Sequence, residues 1–226
     1  MSVQQTIEKS LEILLKQKIK ILGAGRTDTG VHAKQMYAHF DFDEPIDLEN
    51  LIYKLNAFLN KDIGIANIHK VRHNSHARFD AISREYEYYI TQIKDVYNHD
   101  KKYFFSKKLD FDKIDKAIDI LKNTKNFKSF CRTKSDVTNY NCEIFDFNYE
   151  IKESEIIFRI RANRFLRNMV RSLIGTILDV SLNKISIKNL TEIIEKSNRI
   201  YAGPSVPAHA LFLSNVEYPK NVFLDE

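Results

Sequence analysis

Cysteine, glycine and long apolar runs are all scarce in this chain, and each scarcity removes a class of protein. The 226 residues hold two cysteines, Cys131 and Cys142. Neither a CxxC pair nor a Cys/His set with zinc-ligand spacing can be assembled from them, so a disulfide framework and a structural zinc site are excluded. A chain of this length buries a sizeable core without such staples, as one large domain or two compact halves. The cysteine usage fits a reducing cytoplasm. No apolar run approaches the roughly 20 residues that a membrane helix needs, and Gln, Glu and Lys interleave the apolar residues at the N-terminus, so neither secretion nor a membrane partner is expected. Only six glycines occur, and three of them, Gly23, Gly25 and Gly30, fall in one short stretch.

What is present is first a modest basic excess, 35 Lys and Arg against 30 Asp and Glu, a formal charge of +5. It hints at an acidic partner without naming one. Ser2 with Gln5 reads as a capping box, and Val3, Ile7, Leu11 and Leu14 recur at helical spacing. Ile19 and Ile21 alternate with lysines as in a short strand, and Met36 to Phe42 alternate as a second. Asp47 caps a helix carrying Leu48, Leu51, Ile52, Leu55 and Leu59, and Ile63 to Val71 reads as a strand. In Arg84 to Ile90, Tyr86, Tyr88 and Ile90 share one face. From Lys94 to Lys108 the sequence is polar and unpatterned, which predicts a long loop and a boundary between halves 1–93 and 94–226. Beyond it come a helix near Asp112 to Lys122, strands near Cys142 to Ile151 and Glu155 to Arg161, and a helix from about Phe165 with Leu166, Met169, Val170, Leu173, Ile174 and Ile177 on its apolar face. A helix near Ile187 to Lys196 and a strand near Ala210 to Glu217 complete the chain. Helices and strands mix without regular βαβ spacing, so the fold class is α+β with largely antiparallel sheet.

The stretch Gly23-Ala24-Gly25-Arg26-Thr27-Asp28-Thr29-Gly30-Val31-His32 fails both phosphate-loop tests. A dinucleotide fingerprint needs glycine where Asp28 stands, and a P-loop needs Lys and a hydroxyl residue where Val31 and His32 follow Gly30. The loop does offer a carboxylate between two strands with Arg26 two positions away. A neighbouring guanidinium favours the charged form of a carboxylate, which suits attack on an electrophilic carbon better than proton donation. Read without relatives, Thr27 and Asp28 equally suit hydrogen bonding to the backbone of a tight turn.

The run from Gly25 to Ala33, with Gln35 and Phe40 beyond, resembles the catalytic motif of the A-type tRNA pseudouridine synthases, usually worded GRTDAGVHA; this chain departs at Thr29. His76-Ala77-Arg78-Phe79-Asp80-Ala81 and Arg84-Glu85-Tyr86-Glu87-Tyr88 are similar to the family's second motif. In Arg161-Ala162-Asn163-Arg164-Phe165-Leu166-Arg167-Asn168-Met169-Val170-Arg171, Arg167 and Arg171 lie four apart, as on one side of a helix, and the whole reads as a basic stripe or a solvated helix face. Pro204 to Leu213 is similar to the family's final motif, with Ala210 where glycine is common.

The resemblance implies a pseudouridine synthase fold of two similar α/β halves with mostly antiparallel mixed sheets and an active-site cleft between them. It implies isomerisation of uridine to pseudouridine in the anticodon stem-loop of tRNA, at tRNA positions 38, 39 and 40. Asp28 corresponds to the nucleophile, Tyr86 to the tyrosine that stacks on the target uracil, Arg171 to the partner of the carboxylate, and Leu211 to an apolar base contact; Arg26 would help to hold the charge. Arg161, Arg164 and Arg167 remain candidate RNA contacts. No cofactor and no metal are implied, and the expected assembly is a cytoplasmic homodimer in which one tRNA touches both subunits. A metal-dependent nucleotide hydrolase would need more carboxylates near the loop than Asp41 and Asp43. Family members usually begin with a strand before the helix that starts here at Ser2, so a start codon placed downstream or a lost strand is expected. The alternative is accordingly a non-catalytic tRNA-binding protein descended from such an enzyme.

Overall fold

Four of the five α-helices among the described residues begin where a short polar side chain accepts a hydrogen bond from an orphan N–H of the first turn. Ser2 starts α1 (Val3–Leu15), Asp47 starts α2 (Leu48–Phe58), Asp110 starts α3 (Phe111–Lys122), and Ser186 starts α5 (Ile187–Lys196). The exception is α4 (Met169–Ser181), which follows Asn168 in a left-handed conformation, φ 65°, with no side-chain cap. The strands are β1 (Leu22–Gly23), β2 (His32–Ala33), β3 (Ala38–His39), β4 (Ser83–Thr91), β5 (Tyr103–Phe104), β6 (Ile144–Lys152), β7 (Glu155–Ala162) and β8 (Leu211–Glu217). The structure is a computed structural model that describes residues 1–133 and 137–224. It divides into two compact units, one of Met1–Arg26, Met36–Ala81 and the chain from Tyr218 onward, the other of Thr27–Gln35 and Ile82–Glu217.

In the first unit, Leu11, Leu51, Leu55, Leu59, Ile19 and Ile21 form a buried core under α1 and α2. Little of the expected strand structure around it forms. The segments carrying Ile19 and Ile21, Met36 to Phe42, and Ile63 to Val71 reduce to the two-residue pair β1 and β3, antiparallel, and an isolated bridge from Val71 to Phe223. The physical reason lies in helix side chains that occupy backbone groups a neighbouring strand would need. Ile21 N–H donates to Glu8 Oε1 at 3.1 Å and Ile21 carbonyl accepts from Gln4 Nε2 at 2.9 Å. Asn56 does the same for Ile65, at 2.7 and 2.8 Å. The isoleucines stay apolar and inward while their backbone is satisfied without a ladder.

The second unit is a six-stranded mixed sheet in the order β2-β8-β4-β7-β6, with β5 also paired to β4. The β8–β4–β7–β6 pairings are antiparallel, and β2–β8 and β4–β5 are parallel. The predicted loop from Lys94 to Lys108 therefore contains one short strand. Alternation on β4 and β7 sends Tyr88, Ile90, Ile156, Phe158 and Ile160 into the core with the apolar faces of α3, α4 and α5. The helix expected from about Phe165 begins instead at Met169, because left-handed Asn168 ends a turn in which Met169 N–H donates to Leu166 carbonyl at 3.0 Å.

Candidate active site

Asp28 and the turn that follows it lie in the second unit, and the turn is closed by backbone chemistry. Val31 N–H donates to Asp28 carbonyl at 3.1 Å, and Gly30, at φ +86°, occupies the third position of that turn. A left-handed third residue is the demand that glycine meets without strain. The chain then runs into β2, which pairs in parallel with β8, His32 opposite Phe212 and Ala33 opposite Leu213. Lys34 N–H adds a bond to Leu213 carbonyl at 2.8 Å, and Gln35 Oε1 accepts from Val216 N–H at 2.8 Å. The His32 ring stacks on Phe212 at 4.6 Å between centroids. The loop is thus stapled to a central-sheet strand directly after its carboxylate.

Arg171 and Arg167 reach that carboxylate from the other direction in the chain. Arg171 Nη1 donates to Asp28 Oδ2 at 3.1 Å, while its Nε donates to Val206 carbonyl at 2.8 Å. The backbone carbonyl of Arg171 accepts from Val206 N–H at 3.2 Å, so side chain and backbone hold one loop residue between them. Two donors used in a fixed fork restrict the guanidinium to one orientation, which a lysine could not reproduce. Arg167 Nε stands 3.9 Å from Asp28 Oδ1 and is more than half exposed. Their four-residue spacing predicts one helical face for both arginines; in fact Arg167 precedes α4, in the turn ended by Asn168, and Arg171 lies in its first turn.

The 202–206 segment that carries Val206 is itself fastened to α4. Asn168 Nδ2 donates to Ser205 Oγ at 2.6 Å, Arg199 Nη2 to the same oxygen at 3.0 Å, and Gly203 N–H to Thr176 Oγ1 at 3.0 Å. A Cβ on Gly175 would collide with Pro204 carbonyl oxygen, so glycine is required for this close approach. The 35-residue separation between Arg171 and Val206 hides this support from any local reading of the sequence; the glycines at 175 and 203 are its only local trace.

Tyr86 lies on β4 beside a register shift between Glu85 and Tyr86 against β8, and a bulge of this kind re-aims a side chain. Its ring meets Phe165 edge to face at 5.1 Å. Burial pushes the Tyr86 hydroxyl up to about 12, with Arg84 opposing and the negative charge of Asp28 adding to the shift; the phenol is neutral at ordinary pH. Leu211 is buried, 5% exposed, and opposite Tyr88 in the β4–β8 pairing. Tyr88 donates its hydroxyl to Pro207 carbonyl at 3.0 Å. Arg26 is exposed and forms no ion pair among the described residues. Arg161 stands 3.6 Å from Glu217 and over the Phe145 ring, and Arg164 is half-buried with its charge felt at Cys142. Of the three arginines set aside for RNA, Arg167 approaches Asp28. No group of three or more His, Cys, Asp or Glu among the described residues is placed to hold a metal ion.

A carboxylate with an oriented guanidinium on one oxygen, an exposed one near the other and a neutral aromatic ring alongside can attack an electrophilic ring or sugar carbon and stabilise the adduct. The chain is similar to known proteins over nearly its whole length. A family model described as tRNA pseudouridine synthase matches residues 117–219. The chain is 46% identical over 224 residues to a tRNA pseudouridine synthase A of Parabacteroides distasonis, covering 99% of this chain and 89% of that protein. It is 42% identical over 224 residues to that of Bacteroides fragilis, covering 98% and 89%, and 36% identical over 221 residues to that of Bacillus subtilis, covering 96% and 90%.

Proposed function

As this chain belongs to the tRNA pseudouridine synthase A family, and so isomerises uridine to pseudouridine in tRNA, we propose that Asp28 is its nucleophile and that its targets lie in the anticodon stem-loop, on the 3′ side of loop and stem. The observation that carries the reading is the 3.1 Å pair between Asp28 and Arg171, with Arg171 oriented by Val206. The target uridine leaves its stack and enters beside Tyr86, whose ring supplies a stacking face. Asp28 attacks the nucleotide, the N1 glycosidic bond breaks, and the uracil rotates and rejoins the ribose through C5; the bond to Asp28 then breaks, the C5 proton is lost and N1 takes up a proton, so that atoms balance. Arg171 donates to the carboxylate before attack and again on its release, with Arg167 beside its other oxygen. The reaction is an isomerisation, with no change in redox state and no group carried away.

The same reading includes a cytoplasmic homodimer, each tRNA touching both subunits. No helix among the described residues is long and apolar enough to cross a membrane. The stem-loop assignment is tested by incubating the protein with unmodified tRNA and mapping pseudouridine nucleotide by nucleotide. Conversion confined to the 3′ side of the anticodon loop and stem is the expected result; conversion elsewhere, with those uridines untouched, contradicts it.

A further inference from the structure

Residues 69–79 read His-Lys-Val-Arg-His-Asn-Ser-His-Ala-Arg-Phe: three formal cations and three histidines without one acidic side chain. In a chain whose overall excess is only +5, that is a local concentration of positive charge. The segment is exposed along most of its length and yet firmly held within the first unit. Arg72 N–H donates to Val222 carbonyl at 3.2 Å, Leu224 N–H donates to Lys70 carbonyl at 3.0 Å, and Phe223 lies edge-on to the His69 ring at 5.4 Å. Beside it a cavity of about 330 Å³ opens to solvent, lined by Arg72, Asn74, Ser75, Asn221 and the carboxylate of Asp80 among others.

The segment ends in a heavily bonded turn. His76 N–H donates to Asp80 Oδ2 at 2.6 Å, Asp80 N–H returns to His76 carbonyl at 3.0 Å, and Arg78 N–H donates to His76 Nδ1 at 3.1 Å. Ala77 N–H donates to His39 Nδ1 at 3.1 Å, and Tyr218 hydroxyl donates to Ala77 carbonyl. What this turn presents is Phe79, 74% exposed, between the His76 ring at 4.3 Å and the Arg78 guanidinium at 5.8 Å. An exposed aromatic face with a guanidinium beside it, in a segment rich in Lys and Arg, has the chemistry that recognises an unpaired base and its phosphates.

We propose that residues 69–79 form an RNA contact in which Phe79 stacks on an unpaired base of the tRNA while Arg72 and Arg78 hold the flanking phosphates. The inference rests on tRNA as substrate, and not on the role of Asp28. It is tested by equilibrium binding of fluorescently labelled, unmodified tRNA to the full chain and to Phe79→Leu, Phe79→Tyr and Arg72→Gln, from about 50 to about 200 mM salt. Phe79→Leu is expected to bind about tenfold more weakly at every salt concentration, and Phe79→Tyr to stay within about twofold of the native protein. Arg72→Gln is expected to lower the slope of log affinity against log salt by about one. Native-like binding by Phe79→Leu, as a protein-docking role for the ring would give, overturns the proposal. So does equal weakening by Leu and Tyr, or an unchanged slope in Arg72→Gln. Because binding is read rather than conversion, a different nucleophile would leave these outcomes unaltered.

Discussion

Asp28 and Arg171 each leave about a fifth of the side chain exposed, 18% and 20%, so the pair is sheltered enough for the charge-assisted bond to count and open enough for a nucleotide to reach it. Removing the guanidinium leaves the carboxylate with Arg167, at 3.9 Å and 54% exposed. Arg171→Met is therefore expected to lower kcat roughly 10- to 100-fold, the range of one charged hydrogen bond, with a smaller effect on KM. Arg171→Lys should recover only part of that loss, because one ammonium cannot hold Val206 carbonyl and Asp28 in the same fixed fork. Single-turnover measurements on the two variants check both statements. Tyr86, titrating at about 12, stays protonated throughout the working range. Any basic limb below about pH 10 in a pH–rate profile should persist in Tyr86→Phe, and its disappearance would assign that limb to the phenol.

At the scale of elements, the sequence exposed what local rules govern. The capping side chains Ser2 and Asp47 mark helix starts, and the alternation of Tyr86, Tyr88 and Ile90 marks β4 with its inward face. What it hid were bonds between distant residues. Gln4, Glu8 and Asn56 satisfy backbone that periodicity assigned to strands, and the left-handed Asn168 delays α4 by four residues and moves Arg167 off the helix. The site shows the same division. The motif identifies Asp28, but the fastening of Arg171 through Val206, Ser205 and Gly175 depends on a chain return that no spacing announces. Gly175→Ala should accordingly lower stability by about 1 to 3 kcal/mol through overpacking against Pro204, and should lower activity further by displacing Val206. Denaturant melts beside turnover measurements separate the two effects. The opposite sheet face carries its own polar cluster, in which Glu87, 9% exposed, accepts from Lys34 at 2.6 Å, Arg159 at 3.0 Å and Tyr89 hydroxyl at 2.5 Å. Burial alone would raise the Glu87 carboxyl; these hydrogen bonds outweigh it and bring the group down to about 2. A folded value below the unfolded one gives stability that is present above about pH 4.5 and lost as pH falls toward 2, roughly 2 to 3 kcal/mol for this residue. In urea titrations at several pH values, Glu87→Gln should flatten the acid dependence over that window.

Across the whole molecule, a pI near 9.0 and a charge of +5 set an attraction for tRNA that salt must weaken, because each phosphate neutralised releases counterions. A solution mass twice the 26.5 kDa of one chain is the expected result of light scattering, and a mass of one chain at working concentrations would contradict the dimer. Asp28→Asn keeps the shape of the loop and removes the nucleophile, so the decisive measurement is pseudouridine formation in unmodified tRNA by native protein and Asp28→Asn, with tRNA binding measured on the same samples. If Asp28 is the nucleophile, the native protein converts uridine and the variant does not, with binding retained within a few-fold. Conversion by Asp28→Asn at a rate near that of the native protein would contradict it and move the chemistry to another residue.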